Sequence, residues 1–393
     1  MAGYSLKIER FPIVGDSLPA GVRDNLSLKS PWRNTVSTGK HSVTTPSAKV
    51  NEIAASRLKR LYFAEGFIDR LVMYLDETLT IQGLPNPFRV SSCPGTGQLP
   101  PTQQWVRALA EISKKEQELL FYKPAPLTTN ASAQDEARYQ IFDLLNLLIK
   151  VKALNTVSQT PNISTSTGSI RQFFCDSKGN AIPPNNTRTS IFTPCWARSA
   201  SAHLRPINGA GRNSGPNPGA ADFSIILNPD LADQLGCAEI KSHWSYSTRS
   251  LMKIYQGGPG ILDQQSMFLA TPNTRVTANA LLQQLTGQLF AQGCDIGFCT
   301  NLDTAFFYLV YKGENAQGVI EKMQIVVPTQ TPSSDTKPGL ILSALMRFED
   351  PKLLKCLQAF TYLALDRKKW QDNGTSLVDI LAPLDEISLI TCP

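Results

Sequence analysis

Apolar residues recur every three or four positions in several stretches of the chain, which is the spacing of one face of an α-helix. The stretch TQQWVRALAEISKKEQELLFY also opens on Thr102, a residue type that caps helix N-termini. Gly and Pro residues separate some of these stretches, as in GLPNPFRVSSCPGTGQLPP. The helices predicted in this way cover 56–79, 102–122, 132–154, 278–292, 339–349 and 351–370.

Short apolar runs rich in β-branched and aromatic residues predict strands between these helices. The runs are ADFSIIL, CAEIKSHW, DIGFCTN, TAFFYLVYKG and KMQIVVPT, and a further hairpin is expected around QFFCDSKGNAI. Leu302 and Asp303 form the short turn between the third and fourth runs. The order of the elements predicts an α/β fold, in which a central mixed β-sheet is flanked by helices and extra helices lie toward both chain ends.

Composition and pattern divide the chain into four predicted parts. Residues 1–55 are rich in Ser, Thr, Pro and Lys without sustained periodicity, which is typical of a flexible arm. Residues 56–125 form an N-terminal helical region, and residues 126–335 contain the α/β core. Residues 336–393 are predicted to form C-terminal helices.

Positive charge is concentrated in two regions. Residues 1–60 contain ten Lys and Arg against four Asp and Glu, which accounts for the whole formal net charge of +6. The stretch 155–220 holds six basic residues against one acid. A polyanionic partner would suit both regions, and a solvated basic loop and tail would give the same pattern. The candidate nucleic-acid contacts are Arg171, Arg188, Arg198, Arg205 and Arg212.

Several function classes are disfavoured by what the sequence lacks. No apolar run approaches the ~20 residues of a membrane span, and the first residues lack the layout of a signal peptide. The eight cysteines include no C-x-x-C pair and there are three histidines, which argues against a zinc site and a disulfide scaffold. Neither G-x-S-x-G nor a P-loop motif occurs. We therefore expect an intracellular protein with reduced thiols and no membrane partner.

The run GCAEIKSHW places a carboxylate and an ammonium two residues apart. Because alternate side chains of a strand share a face, Glu239 and Lys241 would lie ~6.6 Å apart on one side. Asp222 can converge with Glu239 if the two strands pair. Two carboxylates that close repel unless a cation lies between them, and hard oxygen ligands of this kind suit Mg²⁺. The alternative is an ordinary sheet edge with a surface ion pair.

The ordered set of Asp222, Glu239-Ile240-Lys241 and a following helix resembles the PD-(D/E)xK nuclease superfamily, which has the restriction-endonuclease-like fold. Ala221 stands where that pattern has proline. The resemblance implies that Asp222, Glu239 and the Ile240 carbonyl bind Mg²⁺ or Mn²⁺. It also implies that Lys241 is the catalytic lysine, which positions the attacking water.

The same resemblance implies polar residues from two helices. An acid is expected on the first helix of the core, where Glu136 is our choice and Asp143 the second. On the helix 278–292, Gln284 and Gln288 lie one turn apart at the border of the apolar stripe, which suits polar groups reaching the rim of the sheet. Two exposed glutamines would fit that pattern equally well.

The stretch QLFAQGCDIGFCTNLDTAFFYLVYKG is similar to the nuclease-like segment associated with fungal-type protein kinases and with Crinkler and spore-killing proteins. The resemblance covers 130–330 at most, and implies a Mg²⁺-dependent nuclease with DNA as the favoured partner. A homodimer is compatible with it. The alternative is an inactive module of the same fold that binds nucleic acid or protein. We expect Lys241→Ala to abolish cleavage while leaving the fold largely intact, because a lysine at a sheet's rim adds little stability.

Overall fold

The structure is a computed structural model of the 393-residue chain. It describes residues 26–31, 57–81, 101–159, 195–198, 221–226, 234–256, 274–311, 338–367, 370, 373–383 and 386–390. The hairpin predicted around 172–182 and the strand predicted at 322–329 lie outside these ranges.

The described elements come in groups of helices and groups of strands. In the first half they are β1 (Arg60–Ala64), α1 (Phe67–Ile81), α2 (Pro101–Leu120), α3 (Asn130–Ala137), a π-helical turn (Arg138–Phe142), α4 (Asp143–Gln159), β2 (Cys195–Arg198), β3 (Phe223–Ile226) and β4 (Gln234–Ile240). The second half contains α5 (Thr248–Gln256), α6 (Thr274–Gln292), β5 (Ile296–Thr300), β6 (Thr304–Tyr311), β7 (Gly339–Leu342), β8 (Met346–Arg347), α7 (Pro351–Leu365), α8 (Leu377–Leu381) and β9 (Ile387–Leu389).

The described strands form one mixed sheet, as the sequence predicts. Its order is β2-β3-β4-β5-β6-β7-β1-β9, and β8 pairs with β6 outside that path. Strand β4 pairs with β5 in parallel and with β3 in antiparallel orientation. Strand β4 is therefore an interior strand, and the strands that carry the candidate site residues are neighbours.

Each face of the sheet is covered by its own apolar cluster. Helices α1, α4 and α7 supply residues to one cluster, which also contains Phe298 and Phe307 from the sheet. Helices α5 and α6 contribute to the other, together with Phe306 and Tyr308. All eight residues of β6 are buried because both of its faces are packed against these layers. The protein is thus of the α/β class, with helices on both faces of the sheet.

One predicted helix is wrong in part and another is wrong entirely, because each contains a strand that is covered on both faces. The segment 56–79 includes β1, and α1 begins only after the turn at Glu65 and Gly66. The segment 339–349 is not a helix and contains β7 and β8. In β1, Leu61 joins one cluster and Tyr62 the other. A strand covered on both sides loses the apolar–polar alternation, so short runs of this kind resemble a helix in sequence.

The other predicted elements in the described ranges are confirmed, with boundaries shifted by a few residues. The long helix expected over 132–154 is present as α3, the π-helical turn and α4. Within the predicted flexible arm, the short segment 26–31 packs onto this helical stretch. Leu26 and Leu28 are buried, and the Gln140 side chain accepts from the Lys29 amide (2.8 Å) and donates to its carbonyl (2.9 Å). This part of the arm is therefore anchored.

Candidate active site

The Glu239–Lys241 pair is an interior ion pair. The two side chains project from one face of β4, and they are 2% and 8% exposed. The Lys241 ammonium contacts Glu239 Oε1 directly. The alternative of a surface pair at a sheet edge is therefore wrong. A buried pair differs physically from a surface one, because removing one partner leaves the other charge without compensation in a poorly solvated place.

Two glutamines of α6 hold the Glu239 carboxylate from the helix side. Gln284 Nε2 donates to Oε1 (2.8 Å) and Gln288 Nε2 donates to Oε2 (2.6 Å). Gln284 also accepts from Lys241 Nζ through its Oε1 (3.0 Å). One amide thus bridges both members of the ion pair. Since the two glutamines are four residues apart, they lie on the same face of α6.

Asp222 joins this cluster from the residue directly before β3. Its Oδ2 accepts from the Ile240 amide (2.8 Å), and its Oδ1 accepts from Gln134 Nε2 (2.6 Å). The N–H and C=O of one residue in a strand point toward the same neighbouring strand. The Ile240 carbonyl therefore faces the same side of β4 as Asp222. The predicted set of Asp222, Glu239, Ile240 and Lys241 is brought together in one place.

The structure does not bring Glu136 or Asp143 to Asp222. Glu136 accepts from Tyr122 Oη (2.9 Å) and from Gln140 Nε2 (2.6 Å), on a different side of the helix. Asp143 lies 3.9 Å from Lys115 Nζ. The assignment of either residue as the helix acid beside Asp222 is corrected: in this structure the group that reaches Asp222 from the first core helix is the neutral amide of Gln134.

The electrostatics of the cluster follow from burial and close charges. Burial raises the pKa of the Asp222 carboxyl to about 7, with the nearby Glu239 adding to the effect and Lys241 opposing it. Burial works to lower the pKa of the Lys241 ammonium, but Glu239 and Asp222 outweigh it, so that pKa lies above its usual value. Lys241 is therefore charged at neutral pH, whereas Asp222 binds a proton at much higher pH than an ordinary aspartate does.

Sequence reasoning missed two residues of the cluster. Gln134 stands two positions before Glu136. Because it carries no charge, the search for an acid on this helix gave no reason to choose it. Tyr246 follows β4 in a turn, and its ring centroid lies 5.5 Å from Lys241 Nζ. An aromatic residue after a strand is more often a core residue, so only the fold reveals that it borders the charged groups.

Among the predicted nucleic-acid contacts, Arg198 is the one that the structure describes. It ends β2 and donates to Asp135 Oδ1 (2.7 Å), with 43% of its side chain exposed. Its guanidinium carbon lies 6.0 Å from the centroid of the Phe223 ring. Phe223 follows Asp222 directly in the chain, and its side chain joins the apolar cluster that contains Trp196 and Phe360, so this contact places Arg198 against that cluster. The remaining four arginines, Arg171, Arg188, Arg205 and Arg212, lie outside the described residues.

Comparison of the chain with protein-family models, with curated protein sequences and with solved structures found no match. None of the helices that the structure describes is long and apolar enough to cross a membrane. The described part of the chain contains no group of three or more His, Cys, Asp or Glu side chains close enough to share a metal ion. The oxygen groups of the candidate site are the carboxylates of Asp222 and Glu239 and the Ile240 carbonyl.

Proposed function

We propose that the chain is a nuclease that depends on Mg²⁺ or Mn²⁺ and hydrolyses phosphodiester bonds, with DNA as the expected substrate. One observation carries the proposal: two carboxylates, a strand carbonyl and a buried lysine meet where β3 begins and β4 ends. This arrangement supports the resemblance to PD-(D/E)xK nucleases and their restriction-endonuclease-like fold. The basic regions of the sequence support a polyanionic substrate.

The residues of this set fit a hard divalent cation. A carboxylate has about four lone-pair sites. In Glu239 three are used by Gln284, Gln288 and Lys241, and in Asp222 two are used by Gln134 and the Ile240 amide. Both carboxylates therefore keep acceptor capacity. The raised pKa of Asp222, caused by burial and then by Glu239, reflects a repulsion that a cation between them would relieve.

Asp222, Glu239 and the Ile240 carbonyl would hold the ion, which leaves room for the waters that Mg²⁺ retains. The chemistry available from Mg²⁺ or Mn²⁺ in such a set is activation of a water near neutral pH and charge compensation at the phosphoryl oxygens. Lys241 would orient the attacking water and offset the negative charge that develops on the phosphate. Its ammonium is fixed for this task by Glu239 and Gln284.

The amides have positioning roles in this proposal. Gln284 and Gln288 fix both oxygens of Glu239, and Gln134 fixes one oxygen of Asp222. Because these amides fix the carboxylate oxygens, little rearrangement would be needed when a cation binds. A site held in its working geometry avoids reorganisation during the reaction, which is the main source of electrostatic catalysis.

One observation favours a second candidate function, an inactive module of the same fold that binds nucleic acid or protein. Gln134 reaches Asp222 from the first core helix, while Glu136 is engaged by Tyr122 and Gln140. The set thus has one acid fewer than the resemblance implies. In this alternative, the buried pair would serve only to fix the α6 helix on the sheet.

Purified protein incubated with plasmid, linear duplex, single-stranded DNA and RNA tests the proposal, with Mg²⁺, Mn²⁺ or EDTA. We expect cleavage of DNA with either cation and none with EDTA. A parallel titration with Mn²⁺ by calorimetry should give binding that Asp222→Asn weakens. Nucleic-acid binding that needs no cation, with no cleavage of any substrate and no Mn²⁺ binding, would favour the inactive module.

A further inference from the structure

The hydroxyl of Tyr246 is buried and unpaired. The residue is 1% exposed, and its Oη has no hydrogen-bond partner among the residues that the structure describes. Other tyrosines of the core are satisfied: Oη of the half-buried Tyr255 donates to the Ser343 carbonyl (2.8 Å), and Oη of the buried Tyr362 donates to the Leu148 carbonyl (3.3 Å). A buried hydroxyl without a partner costs about 1–3 kcal/mol. A position that keeps such a group is a candidate for binding something absent from the structure.

Tyr246 is held beside the charged groups of the site by its backbone. Its amide donates to the Ser242 carbonyl (3.0 Å), and its carbonyl accepts from Asn301 Nδ2 (2.8 Å). Its ring lies 5.5 Å from Lys241 Nζ. Both Lys241 and Glu239 interact electrostatically with its phenol group. The turn after β4 therefore fixes an unused donor next to the lysine that the proposed function needs.

The phenol is a donor over the whole physiological range. Burial raises its pKa to about 12, although Lys241 acts in the opposite direction. The Lys241 ammonium does not transfer its proton to a neutral phenol. The phenol O–H group can therefore donate a hydrogen bond to an anionic oxygen that the ammonium attracts. In a place that bulk water does not reach, such a donor has a larger effect than in water.

We propose that Tyr246 is a further catalytic residue, whose hydroxyl donates a hydrogen bond to a non-bridging oxygen of the scissile phosphate held by Lys241. This inference rests on the proposed function, because it needs a phosphodiester in the same site. The hydroxyl transfers no proton to the products and forms no covalent bond. It stabilises the charge that develops on the phosphoryl oxygens, as other fixed donors do in transition states.

Tyr246→Phe tests this inference, with Tyr362→Phe as the matched control. Each change removes one buried hydroxyl, but Tyr362 packs on the opposite apolar cluster and its hydroxyl has partners. We expect Tyr246→Phe to lower kcat for Mg²⁺-dependent cleavage on the order of a hundredfold, with KM little changed and with thermal stability equal to or above that of wild type, because an unpaired buried hydroxyl is removed. Tyr362→Phe should lower thermal stability and leave kcat unchanged.

A second readout asks whether the hydroxyl touches the substrate. A short duplex with a single Rp or Sp phosphorothioate at the cleaved position replaces one oxygen by sulfur, which is a weaker acceptor. Wild type should discriminate between the two isomers, and Tyr246→Phe should reduce that discrimination.

The outcomes separate the role of Tyr246 from the proposed function. If wild type cleaves and Lys241 is needed, but Tyr246→Phe keeps full kcat and the same isomer preference, the role of Tyr246 is refuted and the proposed function stands. A Tyr246→Phe variant that loses stability but not activity refutes that role in the same way, since the hydroxyl then has a structural partner. Absence of metal-dependent cleavage by wild type on every substrate overturns both.

Discussion

The two faces of strand β4 differ in what they contact. Ala238 and Ile240 enter the apolar cluster shared with α7, where ring contacts such as that of Trp196 with Phe360 fill the space. Glu239 and Lys241 point to the α6 side, where the side chains that contact the charges are glutamines. A core does not need buried charges for stability, since apolar replacements of buried ion pairs are often neutral or better. The polar face is therefore the one that we associate with function.

The largest effect should come from breaking the buried pair on the polar face. Lys241→Ala leaves the Glu239 carboxylate buried with no counter-charge, so we expect a loss of about 3–5 kcal/mol in the free energy of unfolding. This corrects the expectation from sequence that Lys241→Ala leaves the fold intact, which assumed a lysine at the rim. Urea unfolding measures the loss.

The control removes both charges while keeping similar shapes. Glu239→Gln combined with Lys241→Met should recover most of the lost stability, because neither charge of the pair is left without its partner. A double-mutant cycle with the two single variants gives the coupling energy. Single variants as stable as wild type would mean that water solvates the pair, contrary to its burial in the structure.

A matched pair of leucines tests whether the two faces differ in function as well as in content. Leu285 on α6 and Leu357 on α7 are both 0% exposed, so each change to Ala should cost about 2–5 kcal/mol of stability. Leu285 lies between the two glutamines that hold Glu239. We therefore expect Leu285→Ala to lower kcat of the folded enzyme about tenfold or more, because small displacements of positioning groups are costly. Equal kcat for both variants, measured well below their melting temperatures, would show that the two faces contribute equally to catalysis.

The pH dependence of the free energy of unfolding should depend on Asp222. Its folded pKa of about 7 exceeds the value of about 3.9 expected in the unfolded chain, so the folded state binds more protons between those values. Without metal, the contribution of Asp222 to stability should fall as pH rises from about 4 to about 7. Asp222→Asn should flatten this part of the profile, measured by urea unfolding.

Metal binding should have the opposite pH dependence, because the ion needs the ionised carboxylate. Mn²⁺ affinity should increase with pH up to about 7, with proton release on binding at about pH 6. Asp222→Asn should weaken Mn²⁺ binding about tenfold or more. Calorimetry in two buffers of different ionisation enthalpy measures the released protons, and an affinity independent of pH would exclude Asp222 as a ligand.

The smallest effect concerns the arm. Since Leu26 and Leu28 are buried, deleting 1–55 would damage the core, so charge substitution is the better test. Changing Arg33, Lys40 and Lys49 to Gln removes three charges. The slope of log affinity for DNA against log salt should become shallower by at most roughly 0.9 for each charge that contacts a phosphate. An unchanged slope would mean that these residues do not touch DNA.

The sequence predicted the residues around the charged pair better than the strands β1 and β7. Glu239 and Lys241 share a face because strand geometry alternates, and Gln284 and Gln288 share one because helix geometry repeats. These local rules needed no tertiary information. Strands β1 and β7 were read as helices because burial on both faces removes the alternation that marks a strand.

The helix residue beside Asp222 could not be chosen from sequence for a different reason. Gln134 and Glu136 are two positions apart, so they lie on nearly opposite sides of α3. Which side faces the sheet is set by tertiary packing, including the buried contacts of Glu136 with Tyr122 and Gln140. Choosing by charge led to Glu136, whereas the fold presents Gln134.

The most direct test of the central claim is the initial rate of Mg²⁺-dependent plasmid cleavage by wild type and by the Glu239→Gln/Lys241→Met variant, at equal concentrations of folded protein. Wild type should cleave, and the variant should be slower by about a hundredfold or more, with a rate close to the EDTA background. Because the comparison uses equal concentrations of folded protein, the difference reports on metal binding and chemistry and not on stability. A rate within a few-fold of wild type, or no metal-dependent cleavage by wild type, would contradict the assignment of this buried pair to a nuclease site.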